Sequence, residues 1–174
     1  HTDTNRERAK WAENTDEELM LRVQAGVSDC YDVLVERYKV RLFNYLYRLT
    51  GNRDEAEEIA QEAFVKAYIH ADKYKTIARF STWLYTIALR LAFNHLRGRR
   101  RWLAAIGRVE PRAWTDPSDP DLWTALSRLD VRTRSALLLN VVDGYTHAEI
   151  ARMLSVPEGT VASWISRGRA TLRR

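Results

Sequence analysis

The feature that most constrains this 174-residue chain is the placement of its prolines. All four, Pro111, Pro117, Pro120 and Pro157, lie beyond residue 110. A proline inside a helix removes a backbone donor and clashes with the preceding turn, so the first half is free to form long helices. With only 7 glycines in the chain, the tight turns of an all-β fold are poorly supplied. Three prolines crowd into residues 110–120 (EPRAWTDPSDP) among Asp and Ser, and residues that precede proline are pushed out of the α region. The expected architecture is therefore all-α: two small helical domains, residues 15–101 and 121–174, joined by a proline-containing linker over 102–120.

Apolar spacing places the helices. Thr15 with Glu18 forms a capping-box pattern ahead of Leu19, Met20, Leu21 and Val23. Ser28 can cap a long helix whose Tyr31, Leu34, Val35, Tyr38, Leu42, Tyr45, Leu46 and Leu49 recur at helical spacing, with Gly51 as its stop. Ala56, Ile59, Ala60, Ala63, Phe64 and Ala67 form the apolar face of a helix that starts near Asn52 to Asp54. The next runs from about Ser81 to Leu96 and leads into Arg97 and Arg99 to Arg101. In the C-terminal part, Leu122, Ala125, Leu126 and Leu129 mark one helix, and residues 132–142, stopped by Asp143-Gly144, mark another. Thr146 with Glu149 then makes a second capping box, Ser155 to Glu158 a turn, and Val161, Ile165 and Leu172 the inner face of a last helix.

Charge is distributed in blocks. Residues 1–75 carry net −3, residues 76–112 have 8 basic residues against 1 acidic, residues 113–144 net −2 and residues 145–174 net +3. Two basic blocks attached to helices form an electrostatic footprint for nucleic acid. The last two helices have the pattern of a helix-turn-helix, whose second helix buries Val161 and Ile165 while Ser163, Ser166, Arg167 and Arg169 face outward toward base edges or phosphate. Between residues 73 and 85 rings alternate with cations: Tyr74, Arg79, Phe80, Trp83 and Tyr85 stand upstream of Asn94 and Arg97. Such rings either stack on unpaired bases or belong to the core. Asp54, Glu55, Glu57, Glu58, Gln61 and Glu62 make one helix face acidic, as a solvated surface or as a docking face for a protein partner. No nucleophile set, zinc-ligand spacing or phosphate-binding glycine loop stands in the chain, and His70, His95 and His147 are scattered; no enzyme activity and no cofactor or metal is expected. The lone Cys30 fits a reducing compartment, and the start of the chain shows no secretory leader pattern, so a cytoplasmic location is expected.

Together these residues resemble an extracytoplasmic-function (ECF) sigma factor of the bacterial sigma-70 superfamily. Residues 54–68 (DEAEEIAQEAFVKAY) look like region 2.2, residues 80–88 (FSTWLYTIA) like region 2.3, and residues 90–101, with Asn94, like region 2.4. Residues 129–154 look like region 4.1, and residues from 156 onward, opening VPEGTV, like region 4.2. The resemblance implies a region 2 helical bundle and a region 4 helix-turn-helix. It implies core RNA polymerase as partner through the β′ clamp and β flap, with Asp54, Glu57, Glu58, Gln61 and Glu62 as the clamp contact. It implies promoter DNA as the second partner. Arg79, Phe80, Ser81, Trp83, Tyr85, Asn94 and Arg97 would open and read the −10 element, and Thr160, Ser163, Trp164, Ser166, Arg167 and Arg169 would read the −35 element. An anti-sigma factor as regulator follows from the same likeness; no small-molecule substrate is expected, and since no run approaches 18 apolar residues no membrane insertion is expected. After Gly-Thr-Val the family commonly places Arg-Ser-Arg, where this chain has Ala162-Ser163-Trp164, so the family's −35 preference does not carry over at 162 and 164. The rival reading is a helix-turn-helix regulator that binds duplex DNA without polymerase; it leaves the acidic face and the aromatic cluster without a role.

Overall fold

A computed structural model describes residues 2–108 and 119–174, and every regular element in them is helical. Two helices that open the chain, α1 (Thr2–Trp11) and α2 (Asp16–Gln24), precede the long α3 (Tyr31–Thr50) and α4 (Arg53–Ile69). The Thr15 capping box is present: its side chain accepts from the Glu18 amide while the Glu18 carboxylate accepts from the Thr15 amide. Ser28 does not cap α3 through its side chain; residues 28–30 instead form a 3-10 turn that feeds the helix. Gly51, at φ 70°, ends α3 in the left-handed region that glycine enters without a Cβ penalty. Asn52 caps α4 by accepting from the Glu55 amide.

The short Gly51-Asn52 connection folds α4 back along α3. The buried alanines of α4 at 56, 60, 63 and 67 let the two backbones approach, and Leu42, Leu46 and Leu49 of α3 fill the seam. Helix α5 (Phe80–Ala105) closes this bundle with Leu84, Ala88, Leu89 and Ala92. It runs 26 residues, past the basic run and into the expected linker. Trp102 to Ala105 are compatible with helix, and Leu103 is buried, so the helix stops only at Ile106 and Gly107. The prolines Pro111 and Pro117 of the expected linker lie outside the described residues.

The C-terminal half holds α6 (Pro120–Ser127), α7 (Val131–Val141), α8 (His147–Leu154) and α9 (Glu158–Leu172). The Thr146 capping box is again present. Between α8 and α9, Ser155 sits at φ 55°, a left-handed C-cap in a position where glycine is usual, and the Val156 amide donates to the Ala151 carbonyl at 3.0 Å. Helices α7 and α9 cross closely at Gly168, where a Cβ would meet Leu137 and Thr133 side-chain carbons at 3.2 and 3.3 Å.

The two halves pack on each other through α3 with α7 and α5 with α8. The buried Arg134 of α7 donates from Nε to the Leu49 carbonyl at 2.9 Å and from Nη1 to the Leu126 and Leu129 carbonyls at 3.2 and 2.9 Å. Tyr45 of α3 donates its hydroxyl to the Ser135 carbonyl at 3.2 Å. Asp143, on the turn after α7, is reached by Arg41 Nε at 3.0 Å and by the Tyr85 hydroxyl at 3.1 Å.

Candidate nucleic-acid interface

Helix α5 carries the first group of expected contacts. Its N-terminus is fixed by the Phe80 amide, which donates to Glu17 Oε1 at 3.2 Å. The Phe80 ring is fully buried, edge-on to Tyr38 at 5.6 Å and Tyr74 at 6.1 Å and beside Trp83 at 6.3 Å. Tyr74 in turn donates to the Ala78 carbonyl at 2.7 Å, and burial pushes its phenol up to about 12. Phe80 is therefore core, and the spacing Phe80, Leu84, Ala88 is the signal in the sequence that places it there. Tyr85 is also fully buried, but by a different route. Its ring lies 5.4 Å from Tyr45 and 5.6 Å from Tyr145, the latter from the C-terminal half, and burial pushes its phenol pKa far upward. Ser81 is buried and Trp83 half-buried.

Arg79, Asn94 and Arg97 stand in solvent, as do Arg90 and Arg101. Positions 90, 94, 97 and 101 fall at helical spacing, so α5 presents one basic, amide-bearing stripe along its distal half. Arg79 pairs with Glu149 of α8 at 2.5 Å, and its guanidinium lies over the Tyr145 ring at 5.6 Å. A cleft of about 420 Å³ between the halves is lined by Ile77, Arg79, Trp83, Arg90, Glu149 and Arg152.

On α4 the acidic face is solvent-exposed at Asp54, Glu57, Glu58, Gln61 and Glu62. Glu55 turns the other way, to Arg99 and, at 3.4 Å, to His95 of α5, and so serves the bundle. Beside the acidic face runs a groove of about 430 Å³ between α3 and α4, floored by Val35, Val40, Phe43 and Phe64. Sequence spacing does not single out this apolar floor; Val40, 63% exposed on an otherwise amphipathic helix, is its one outward sign.

Helix α9 buries Val161 and Ile165 and exposes Ser163, Ser166, Arg167 and Arg169. Arg169 reaches Asn140 Oδ1 at 3.3 Å. Thr160 is partly covered, and Trp164 is half-buried and packs against the core with one side. Near the N-terminus of α7, Asp130 caps through Thr133 and Arg132 amides. Burial acts against its charge, but the Thr133 and Arg132 hydrogen bonds win and hold its carboxyl below the usual range.

The described residues thus form an all-helical bundle with an acidic helix face and a basic helix, followed by a helix-turn-helix. Residues 34–102 match the family Sigma-70 region 2, and residues 120–172 match Sigma-70, region 4. Among curated proteins, the chain is 33% identical to the ECF RNA polymerase sigma factor SigW of Bacillus subtilis, covering 88% of this chain and 92% of that one. It is 33% identical to the ECF RNA polymerase sigma-E factor of Escherichia coli, covering 91% and 92%. Among solved structures, a Bartonella quintana sigma factor RpoE, crystallised with the anti-sigma factor NepR, aligns with TM-score 0.72 at 22% identity over 82% of this chain and 94% of that one. CnrH in complex with the cytosolic domain of CnrY aligns with TM-score 0.71 at 23% identity over 91% and 94%. At these identities the structural likeness speaks to the fold. The chain belongs to the ECF sigma factors of the sigma-70 family. As such it is a transcription initiation factor that binds core RNA polymerase and promoter DNA, without a reaction of its own, and the reading as a polymerase-independent regulator falls away. No helix of the described residues is long and apolar enough to cross a membrane.

Proposed function

We propose that this chain is an alternative sigma factor of the cytoplasm whose exposed surfaces divide the work. The acidic face of α4, with Asp54, Glu57, Glu58, Gln61 and Glu62, binds the β′ clamp of core polymerase. The solvent stripe of α5, with Asn94 and Arg97, reads the opened −10 strand, together with Arg79 and Trp83. The outward face of α9, with Ser163, Ser166, Arg167 and Arg169, reads the −35 element, and an anti-sigma factor holds the chain until it is needed. The observation that carries this reading is the sorting of side chains: each of these surfaces is exposed while its helix is fixed by a buried opposite face. Anti-sigma control is supported by family membership and by the anti-sigma factor NepR bound to the Bartonella quintana fold neighbour. Exchange of Glu58→Lys together with Glu62→Lys should weaken core polymerase binding at least tenfold in a titration with labelled chain and leave the helical circular dichroism signal unchanged. Unaltered affinity would remove α4 from the polymerase contact.

The −35 assignment separates base readout from phosphate contact. Arg167 lies one helical turn beyond Ser163, whereas Arg173 follows the last turn of α9. A bidentate arginine–guanine pair supplies about 1–3 kcal/mol of discrimination. Arg167→Ala should therefore relax preference at one −35 position in a binding library. Arg173→Ala should weaken all sequences alike and lower the salt slope by about one. A uniform loss for Arg167→Ala would make it a phosphate contact.

A further inference from the structure

Helix α5 does not stop where its basic stripe ends. It contains five arginines and no Asp or Glu. Beyond Arg97 it continues through Arg100, Arg101 and Trp102, all exposed, while Leu103 is buried on the opposite side of the helix. Trp102 is 61% exposed and lies outside the apolar cluster of the core. An indole left in water forgoes one of the larger burial gains a side chain can offer, so its place at the surface calls for another partner. Gly98, four residues before it, is the second residue that the fold does not account for. It sits inside the helix, where glycine destabilises relative to alanine, and a Cβ built there would meet nothing within 4 Å. Packing therefore does not require the glycine. Positions 94, 98 and 102 lie four residues apart and fall on one face. Asn94 stands at one end of the gap left by Gly98 and Trp102 at the other, with Arg97 and Arg101 along one edge.

We propose that the gap at Gly98, closed at one end by the Trp102 indole and edged by Arg97 and Arg101, is a seat for one unpaired nucleotide of promoter DNA. The base stacks on the indole, and the two guanidiniums take the flanking phosphates. Stacking on a ring tolerates any base, because each offers a π-face, so the seat adds affinity without adding sequence preference. The helix rises about 12 Å between Asn94 and Trp102, so the nucleotide held is a different one from that read at Asn94. The occupant is a strand rather than an acidic protein because the same row of the helix carries the amide assigned to strand reading. It is a single strand rather than a duplex because only an unpaired base can turn its face onto a ring. This rests on the assignment of the α5 stripe to the opened −10 strand.

The test uses the full chain and two fluorescent probes at fixed salt, an oligothymidylate and a random-sequence duplex of equal length. Trp102→Ala should weaken oligothymidylate binding at least about fivefold, the low end for a lost base–aromatic stack, and duplex binding less than about twofold. Trp102→Phe should keep most of the wild-type affinity for the single strand. Gly98→Leu, which fills the gap, should weaken the single strand while raising the melting temperature. Thermal melts run beside the titrations show that each variant is folded. Equal losses on single strand and duplex would make Trp102 a general backbone contact and overturn the seat. Wild-type affinity for the single strand in Trp102→Ala or in Gly98→Leu would overturn it as well. The stripe is judged separately, by transcription with Asn94→Ala on duplex and pre-melted promoter templates. Failure there overturns the strand assignment of Asn94, whereas the oligothymidylate result still decides whether Trp102 stacks on a base.

Discussion

Replacing Arg134 by Ala should lower the melting temperature of the full chain by on the order of 10 °C, because its side chain ties together three separate pieces of backbone. Its guanidinium donates to carbonyls at the end of α3, in the last turn of α6 and in the connection that follows. Carbonyls at helix C-termini have no intrahelical donor and carry partial negative charge, so a buried cation there is favourable on both counts. Truncation takes this donor from the Leu49 and Leu129 carbonyls, while the Leu126 carbonyl keeps the Leu129 amide, and it leaves a void where the stem lay. Each buried acceptor left without a donor costs about 1–3 kcal/mol, to which the void adds. For a chain of this size each kcal/mol moves the midpoint by roughly 2–4 °C. Arg134→Lys should recover only part, since a point charge cannot reach three carbonyls in the fork geometry. Scanning calorimetry on both variants checks this; an Arg134→Ala midpoint within 2 °C of wild type would be incompatible with the contacts described.

The second large effect separates architecture from DNA reading within one helix. Phe80→Ala should cost about 3–5 kcal/mol of stability, the usual penalty for emptying a buried phenylalanine site. It should reduce transcription from every template in step with the folded fraction. Asn94→Ala removes an exposed amide and should leave stability within about 0.5 kcal/mol of wild type. Its expected defect is confined to duplex promoters, with activity largely regained on templates pre-melted at the −10 element. Thermal melts paired with run-off transcription on both template types distinguish the two. Equal activity of Asn94→Ala on duplex and pre-melted templates would exclude it from strand capture.

Much of this structure can be read from local sequence. Both capping boxes, the Gly51 stop, the helix start near Asn52 and the helix-turn-helix follow from residue types at fixed offsets, since each is decided within a few residues. Helix α1 escapes such reading because it has no apolar stripe. Trp11 anchors its end, with Lys10 and Arg22 over the indole, a tertiary arrangement with no periodic signature. The length of α5 escapes because an arginine run with Gly98 inside it reads as a helix end. The alternation of rings and cations marks the right neighbourhood for strand reading but does not say which rings turn inward. Phe80 is inside its own bundle, and Tyr85 is inside only because Tyr145 and Asp143 arrive from sixty residues away. Asp143-Gly144, in turn, looks like helix punctuation and is also the contact between halves. The folding of each half is encoded locally; the docking of one on the other is not.

The hydrogen bonds that Arg134 and Tyr45 send across the two halves end on main-chain oxygens, those of Leu49 and Ser135. A main-chain acceptor survives any substitution that leaves the backbone path intact. The vocabulary of those contacts is thus written on one partner only, and the residues that receive them can drift without breaking them. Asp143 and Glu149 differ in kind, side chains answered by side chains, Asp143 by Arg41 and Tyr85 and Glu149 by Arg79, so a single substitution at either position deletes a contact between the halves.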